Sequence, residues 1–334
     1  MKRIIVAILL VATTLISVCA FGACVNEDDG YTLVAPDGAP ALALAGIENT
    51  VKTQTDTYNI KKSVVSSGVI STEAVKSDIA IVPANLAANL YNKGNDIRLL
   101  AVVTNGNLFV LSNSDEQVSD LSALVGKMVY SIGQGSVPDM IFQSLLKNAG
   151  ITYAHGEKAT EGKVTIKYMT DGSEVMSQMA LAKKDGENVF GVLAEPAVTN
   201  AINKQGFKEV FNLQTLWADA SESQYDGYAQ AVLIAKAQVC EDKEFVEKLL
   251  QAFSDNALWV AENPSEAVEN IKTVYAQTSL STSITADVVR RCNVKTIAMP
   301  DGKAYYEQML DAVMQINANA IGGKLPAQEF YFAG

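Results

Sequence analysis

Histidine is nearly missing from this chain. His155 is the one imidazole in 334 residues, and it stands in a polar loop, ITYAHGEKATEGK, where it is expected to face solvent. A lone imidazole leaves little from which to build a Ser-His-Asp relay or a histidine metal centre, and no serine occupies a Gly-x-Ser-x-Gly setting. Cysteine is scarce too: of four, Cys19 and Cys24 fall in the N-terminal segment, which leaves Cys240 and Cys292 for the folded part. Two distant thiols and one imidazole do not make a recognisable zinc set. The pair either bridges as a disulfide or stays as separate buried thiols, and both readings stand at this point. Positive charge is thin, with 26 Lys and Arg against 37 Asp and Glu, a net charge of −11, and no basic cluster. That excludes nucleic acid as a partner and electrostatic attraction to a membrane. Low-complexity segments and short internal repeats are also absent.

What is present begins at the N-terminus. Lys2 and Arg3 precede an apolar run from Ile4 to Val18, too short for a comfortable membrane span, and the small-residue stretch Ala20-Phe21-Gly22-Ala23 leads to Cys24. This pattern predicts a secretion signal over residues 1–23. Phe21-Gly22-Ala23-Cys24 resembles a bacterial lipoprotein box, in which the cysteine is lipidated and becomes the new N-terminus. Cys19 competes for that role, but Val18 before it is β-branched where a small residue is wanted. A lipidated Cys24, with residues 24–30 as a polar tether, would hold a folded domain just off a membrane through lipid and not through a transmembrane helix. Removing residues 1–23 from 334 leaves 311, enough for two lobes with separate cores.

From Tyr31 onward short apolar runs alternate with helical patterns, which predicts an α/β architecture with largely parallel sheets. The runs read as strands are Thr32 to Ala35, Ile79 to Val82, Leu99 to Thr104, Leu108 to Leu111, Met128 to Ser131, Val189 to Leu193 and Ala229 to Ile234. Helical patterns between them include Ala39 to Ala45, Ala84 to Tyr91, Met140 to Asn148 and Glu174 to Ala182, and the chain after Cys240 is mostly helical, with a break at Asn263-Pro264. Three breaks share one design, an apolar strand followed by a Pro, Gly, Ser or Asn turn and a helix opening on small residues: LVAPDGAPALALAG, IAIVPANLAANLYNKG and MVYSIGQGSVPDMIFQSLLKNAG. In open parallel sheets such turns gather at the carboxyl ends of strands, where helix N-termini offer backbone N–H groups to a ligand.

Taken singly, each motif has a plain reading. Gly133-Gln134-Gly135-Ser136 lacks the Gly-Lys-Ser/Thr of a P-loop and the third glycine of a dinucleotide fingerprint, so a tight turn explains it. Ser136, able to cap the helix and donate its hydroxyl, and the two similar turns elsewhere favour a ligand loop. Glu195-Pro196 follows an apolar strand in VFGVLAEPAVTNAI, and Glu195 either accepts helix N–H bonds or meets a ligand amine. Tyr130, Trp217, Tyr225 and Tyr228 are the aromatics nearest the candidate loops, for packing or for stacking on a ligand.

In that order the segments VAPDGAPALALAG, SDIAIVPANLAANLYNKG, LSALVGKMVYSIGQGSVPDMIFQSLLKNAGI, FGVLAEPAVTNAI and AFSDNALWVAENPSEAVENI resemble the solute-binding proteins of ABC importers, in the sulfonate, taurine, nitrate and thiamine-pyrimidine group. The resemblance covers nearly all of residues 31–334. It implies a two-lobe, periplasmic-binding-protein-like Venus-flytrap of type II with two crossovers, residues 31–103 and 232–334 forming lobe one and 104–231 lobe two. It also implies a monomer without cofactor or catalysis that captures a small molecule and delivers it to a permease and its ATPase. The ligand loops it implies are Pro36, Asp37, Gly38 and Ala39 with Pro83, Ala84 and Asn85 in lobe one, and Gln134, Gly135, Ser136, Val137 and Glu195 in lobe two, with Tyr228 near the second crossover. Arginine is missing from all these loops, since after the signal only Arg98, Arg290 and Arg291 remain, and this disfavours an α-amino acid, whose carboxylate wants a bidentate clamp. Backbone N–H groups at helix starts could still hold a modest anion. A biosynthetic enzyme or a sensory surface lipoprotein on the same fold is the competing expectation.

Overall fold

The computed structural model describes residues 30–221, 225, 227–280 and 284–334. The expected signal at 1–23, the lipidation site Cys24 and the tether up to residue 29 lie outside the described residues. The strands are β1 (Gly30–Pro36), β2 (Thr50–Lys52), β3 (Thr57–Val65), β4 (Ile79–Pro83), β5 (Ile97–Asn105), β6 (Leu108–Ser112), β7 (Met128–Ile132), β8 (Tyr153–His155), β9 (Val164–Met169), β10 (Phe190–Ala194), β11 (Lys208–Asn212), β12 (Ala229–Lys236) and β13 (Val294–Ala298). The helices are α1 (Ala39–Leu42), α2 (Ile70–Lys76), α3 (Ala84–Asn92), α4 (Val137–Asn148), α5 (Gly172–Lys184), α6 (Ala197–Gln205), α7 (Leu213–Ser221), α8 (Lys243–Glu262), α9 (Pro264–Val274), α10 (Ala286–Arg291) and α11 (Lys303–Asn317).

These elements build two sheets, one of seven strands in the order β13-β5-β12-β4-β1-β3-β2 and one of six in the order β11-β6-β10-β7-β9-β8. The chain passes from the first to the second at Gly106-Asn107, between β5 and β6, and returns between α7 and β12. The sheets are mixed, not largely parallel. β1 pairs in parallel with β3 and β4, and β7 with β9 and β10, but β12, β6, β11 and β13 run antiparallel to their neighbours. The crossovers account for β6 and β12, since a strand entering a sheet from the crossover side must run against strands whose carboxyl ends face that side. The expected α/β, two-lobe, periplasmic-binding-protein-like architecture is therefore present, with reversed strands where the chain changes lobes.

Burial follows the sequence pattern. β4 is an apolar run buried on both faces until Pro83, as a central strand should be. The main core covers both faces of the first sheet and continues beneath α4 of the second lobe, while a smaller core on the other face of the second sheet joins Phe109, Leu111, Met179, Leu193 and Phe207. α8 buries Phe245, Val246, Leu249, Phe253 and Val260 along one side and ends at Asn263, where Pro264 opens α9. The expected helix from Ala39 to Ala45 closes after Leu42. Side chains from α8 and α9 take its carbonyls: Asn256 Nδ2 donates to Leu42 and Ala43 oxygens at 3.1 and 2.8 Å, and Asn270 Nδ2 to Ala45 O at 3.1 Å. Cys240 and Cys292 are separate free thiols, and burial pushes the Cys240 thiol up to about 12. His155 is exposed at the sheet edge, stacked on Tyr168. Among the described residues no helix is long and apolar enough to cross a membrane.

Candidate functional site

The carboxyl ends of β1, β4, β7, β9 and β10 all open on one cavity of ≈ 680 Å³ between the two sheets. The first lobe supplies Pro36 to Pro40, Ser67, Pro83 and Ser279. The second supplies Ile132, Gly133, Ser136 to Pro138, Thr170 to Ser173, Met176, Leu193 to Ala197 and Asn200. The floor is made where the chain changes lobes, by Asn107, Gln230 and Ala231. Register puts the floor there, because β12 starts beside the ends of both β5 and β4, with Ala229 opposite Asn105 and Ala231 opposite Pro83.

Of the expected ligand positions, Pro36, Asp37, Gly38, Ala39, Pro83, Ser136, Val137 and Glu195 share this cavity. Asn85, Gln134, Gly135 and Tyr228 do not line it. Asn85 is buried and points its amide at Ala320 O, 3.5 Å away. Gln134 is exposed, and Gly135 spends its N–H on Asp139 Oδ2 at 2.8 Å. Tyr228 is fully buried, edge-on to Trp217. None of the four aromatics considered from the sequence reaches the cavity: Tyr130 lies in the smaller core and Tyr225 packs on Tyr305. Among the described residues the lining is largely aliphatic and proline-rich, with no aromatic ring.

Each turn is fixed locally. Gly38 holds φ at 96°, a backbone setting that favours glycine, and so turns β1 into α1. Asp37 does not cap α1. Its carboxylate accepts from Thr278 Oγ1 and, at 2.8 Å, from the Ser279 N–H, which ties the turn to the segment after α9. In the second lobe Asp139, on the first turn of α4, holds the glycine loop from below. Its carboxylate accepts from Gly135 N at 2.8 Å, Gln143 Nε2 at 2.6 Å and the Tyr168 hydroxyl at 2.7 Å, and burial together with that bond pushes the Tyr168 phenol far above its usual range. Ser136 precedes α4 without capping it, and its hydroxyl is buried without a hydrogen-bond partner.

Asp171 caps α5, accepting from Ser173 N at 2.8 Å and Glu174 N at 3.0 Å, and the Ser173 hydroxyl and these N–H groups hold its carboxyl below the usual range. Glu195, whose side chain is fully buried, accepts from Thr199 N at 3.2 Å and Thr199 Oγ1 at 3.0 Å, ahead of α6. Its main partner comes from the other lobe: Arg291, the last residue of α10, donates from Nε to Glu195 at 2.6 Å and from Nη2 to Glu209 at 2.6 Å, with its guanidinium 4.0 Å from the centre of the Phe109 ring. Burial opposes the Arg291 charge, but the two carboxylates outweigh it and keep the guanidinium firmly protonated. Asn293 adds a second strut beside it, donating to Gly106 O at 3.1 Å in the crossover.

Thr170 to Ser173, Asn107, Gln230 and Arg291 are not among the site residues expected from the sequence. The first group had a usable signal, since Asp171 followed three residues later by Glu174 is a helix-start signature, and Glu174 returns a bond to the Thr170 N–H at 2.7 Å. The others became visible only once the crossovers were placed. Among the described residues no group of three or more His, Cys, Asp and Glu is arranged to hold a metal ion.

A mixed two-sheet α/β chain, crossing twice and enclosing a cavity at the crossovers, has the periplasmic-binding-protein fold. Among solved structures it is similar to an ABC transporter structure from Parabacteroides distasonis, with a TM-score of 0.71, 20% identity, and 91% of this chain and 99% of that chain covered. It is also similar to the periplasmic aliphatic sulphonate binding protein SsuA of Escherichia coli, with a TM-score of 0.62, 12% identity and 90% and 91% covered. A Candida albicans protein with the generic periplasmic binding protein fold aligns with a TM-score of 0.54, 13% identity and 87% and 93% covered. At these identities the likeness is one of fold. No protein-family model matches the chain, and no curated protein matches it.

Proposed function

We propose that this chain is the solute-capturing lipoprotein of an ABC importer. A small organic or inorganic solute enters between the lobes, both lobes close on it, and the complex is presented to a permease and its ATPase. A lipid on Cys24 keeps the monomer at the outer face of the membrane. The candidate solutes are a sulfonate, nitrate or a thiamine-precursor-like molecule. The observation that carries this reading is the cavity of ≈ 680 Å³ walled by strand-end turns of both lobes, because a solute touching both walls binds the closed arrangement better and shifts the chain toward it. Its volume falls within the range of about 300–1,000 Å³ common for small-molecule sites. Likeness of fold to structures described as an ABC transporter and a sulphonate binding protein supports it further. Binding is favoured over turnover because, among the described residues, the ionisable side chains on the cavity are carboxylates, Asp37, Asp171 and Glu195, each already engaged by protein donors.

The test is a thermal-melt screen of protein unfolded and refolded to strip bound solute. A captured solute at about a hundred times its Kd adds about 2.7 kcal/mol, which raises the midpoint by several degrees. The reading fails if no small solute raises the midpoint and a denatured extract of the natively purified protein releases no small molecule.

A further inference from the structure

Resting on that capture reading, in which the cleft must open to admit a solute, the packing around α11 bears on how the lobes move. α11 follows β13, an edge strand of the seven-stranded sheet, and is tied to the first lobe at both ends. Near its start the fully buried Tyr306 hydroxyl donates at 2.8 Å to the carbonyl of Ala84, the first residue of α3. Just past its end the carbonyls of Asn319 and Ile321 accept from Asn89 Nδ2 at 2.9 Å and Asn92 Nδ2 at 2.7 Å, two amides three residues apart and so on one face of α3. These bonds to one short helix hold α11 to the first lobe.

The same helix carries the second lobe. It packs along α4, the helix that starts at the cavity, and nine of the twelve α4 residues are buried. Phe142 and Leu145 of α4 and Met309 and Val313 of α11 belong to one continuous core. Half-buried Gln308 on α11 donates from Nε2 at 2.7 Å to the carbonyl of Ser221, the last residue of α7, and the Tyr305 ring lies 4.7 Å from that of Tyr225, where the chain is about to return through β12. Arg291 and Asn293 tie the lobes beside the first crossover, so Gln308 is their counterpart beside the second. A rotation that lifted the second lobe off α11 would bare buried apolar side chains to water, whereas a slide of α4 along α11 keeps that area covered. Sliding strains mainly the polar ties.

We propose that α11 is a rail fixed to the first lobe, that the second lobe opens by shear of α4 along it, and that the bond from Gln308 to Ser221 is the stop holding the lobes in the arrangement described above. The test measures the distance across the cleft by pulsed electron paramagnetic resonance in stripped, refolded protein. Spin labels go on Ser66→Cys and Ser177→Cys, exposed neighbours of the cavity residues Ser67 and Met176, in a Cys240→Ser background that leaves only the fully buried Cys292 thiol. Gln308→Met keeps the reach of the side chain and its helix propensity but removes the donor, so the variant should fold. The expected result is a distance distribution in Q308M shifted to longer values than the parent's, with the α4 amides exchanging as slowly as in the parent. A distribution that is unchanged or shifted to shorter values overturns the stop. A longer distance accompanied by fast exchange across α4 means that the lobes part by lifting, and overturns the rail. Both readouts are taken without a solute, so either failure leaves the capture reading standing, and the melt screen decides that reading on its own.

Discussion

Replacing Arg291 with methionine tests how the two lobes are joined at the site. The guanidinium is about one-third exposed, at 34%, but Glu195 is at 0%, so the substitution strands a buried carboxylate. Breaking a fully buried pair costs about 3–5 kcal/mol, whereas an exposed pair contributes about 0–1 kcal/mol. Glu195 keeps its two bonds from Thr199, which lowers the first figure, and Glu209 is 29% exposed, which places its share near the second. Loss of the cation over Phe109 adds about 0.5–1 kcal/mol, partly offset by the methionine side chain lying on the same ring. The expected destabilisation of R291M is therefore about 2–3 kcal/mol, read from urea unfolding of the stripped protein. Glu195→Gln alone should cost less, because Arg291 retains Glu209. In the double variant no buried charge is stranded, so its loss should fall short of the sum of the single losses by at least about 1 kcal/mol. If R291M lies within about 0.5 kcal/mol of the parent, or the cycle is additive within that margin, Arg291 does not fasten the lobes and the reasoning is wrong.

Two further outcomes follow from other polar anchors. Asp139→Ala leaves the Gly135 N–H and the Tyr168 O–H without their acceptor, and Gln143 Nε2 with the Tyr168 oxygen at 3.1 Å alone, and should cost about 2–4 kcal/mol in urea unfolding, with faster amide exchange at Gly135; a loss below about 1 kcal/mol would mean the glycine loop is held by something else. Burial opposes the Asp78 charge, but bonds from Thr32 N and Oγ1 and from Lys236 Nζ hold the carboxyl below its ordinary value, so its stabilisation is present above about pH 4 and is lost as pH falls through the folded-state value. Asp78→Asn should flatten the fall of the melting midpoint below about pH 4, and a slope as steep as the parent's would contradict that assignment.

Much of the fold was legible because central strands are punctuated by their own chemistry. Ile79 to Val82 and Met128 to Ser131 are runs that can only be buried, and each lies within a residue of the observed strand. Six strands escaped: the four edge strands β2, β8, β11 and β13, and β3 and β9, which stand one place from an edge. In TYNIKKSVV the two lysines of β3 sit in mid-strand, where one face is exposed, so hydrophobic content alone does not mark it. Site residues divide in the same way. Pro36 to Ala39 were legible because a turn from strand to helix has a local signature. Asn107 has no local signature at all: an asparagine after a glycine reads as any loop, and only the crossing of two sheets puts it on a cavity floor. Arg291 meets Glu195 across 96 residues of sequence, a separation no motif spans. Aromatic content misled most, since the rings near the candidate loops serve the cores and leave the cavity to proline and aliphatic side chains.

The position of β12 sets the order in which the molecule can be assembled. It lies between β4 and β5 in the larger sheet, yet the ribosome makes it only after every strand of the smaller one. Until residues 229–236 emerge, β4 and β5 each present an open edge with nothing to pair it. The smaller sheet draws all its strands from one unbroken stretch, 108–212, and needs no later partner. The inserted lobe can therefore complete its sheet while the chain is still growing, and the lobe that begins the sequence is the one that finishes last.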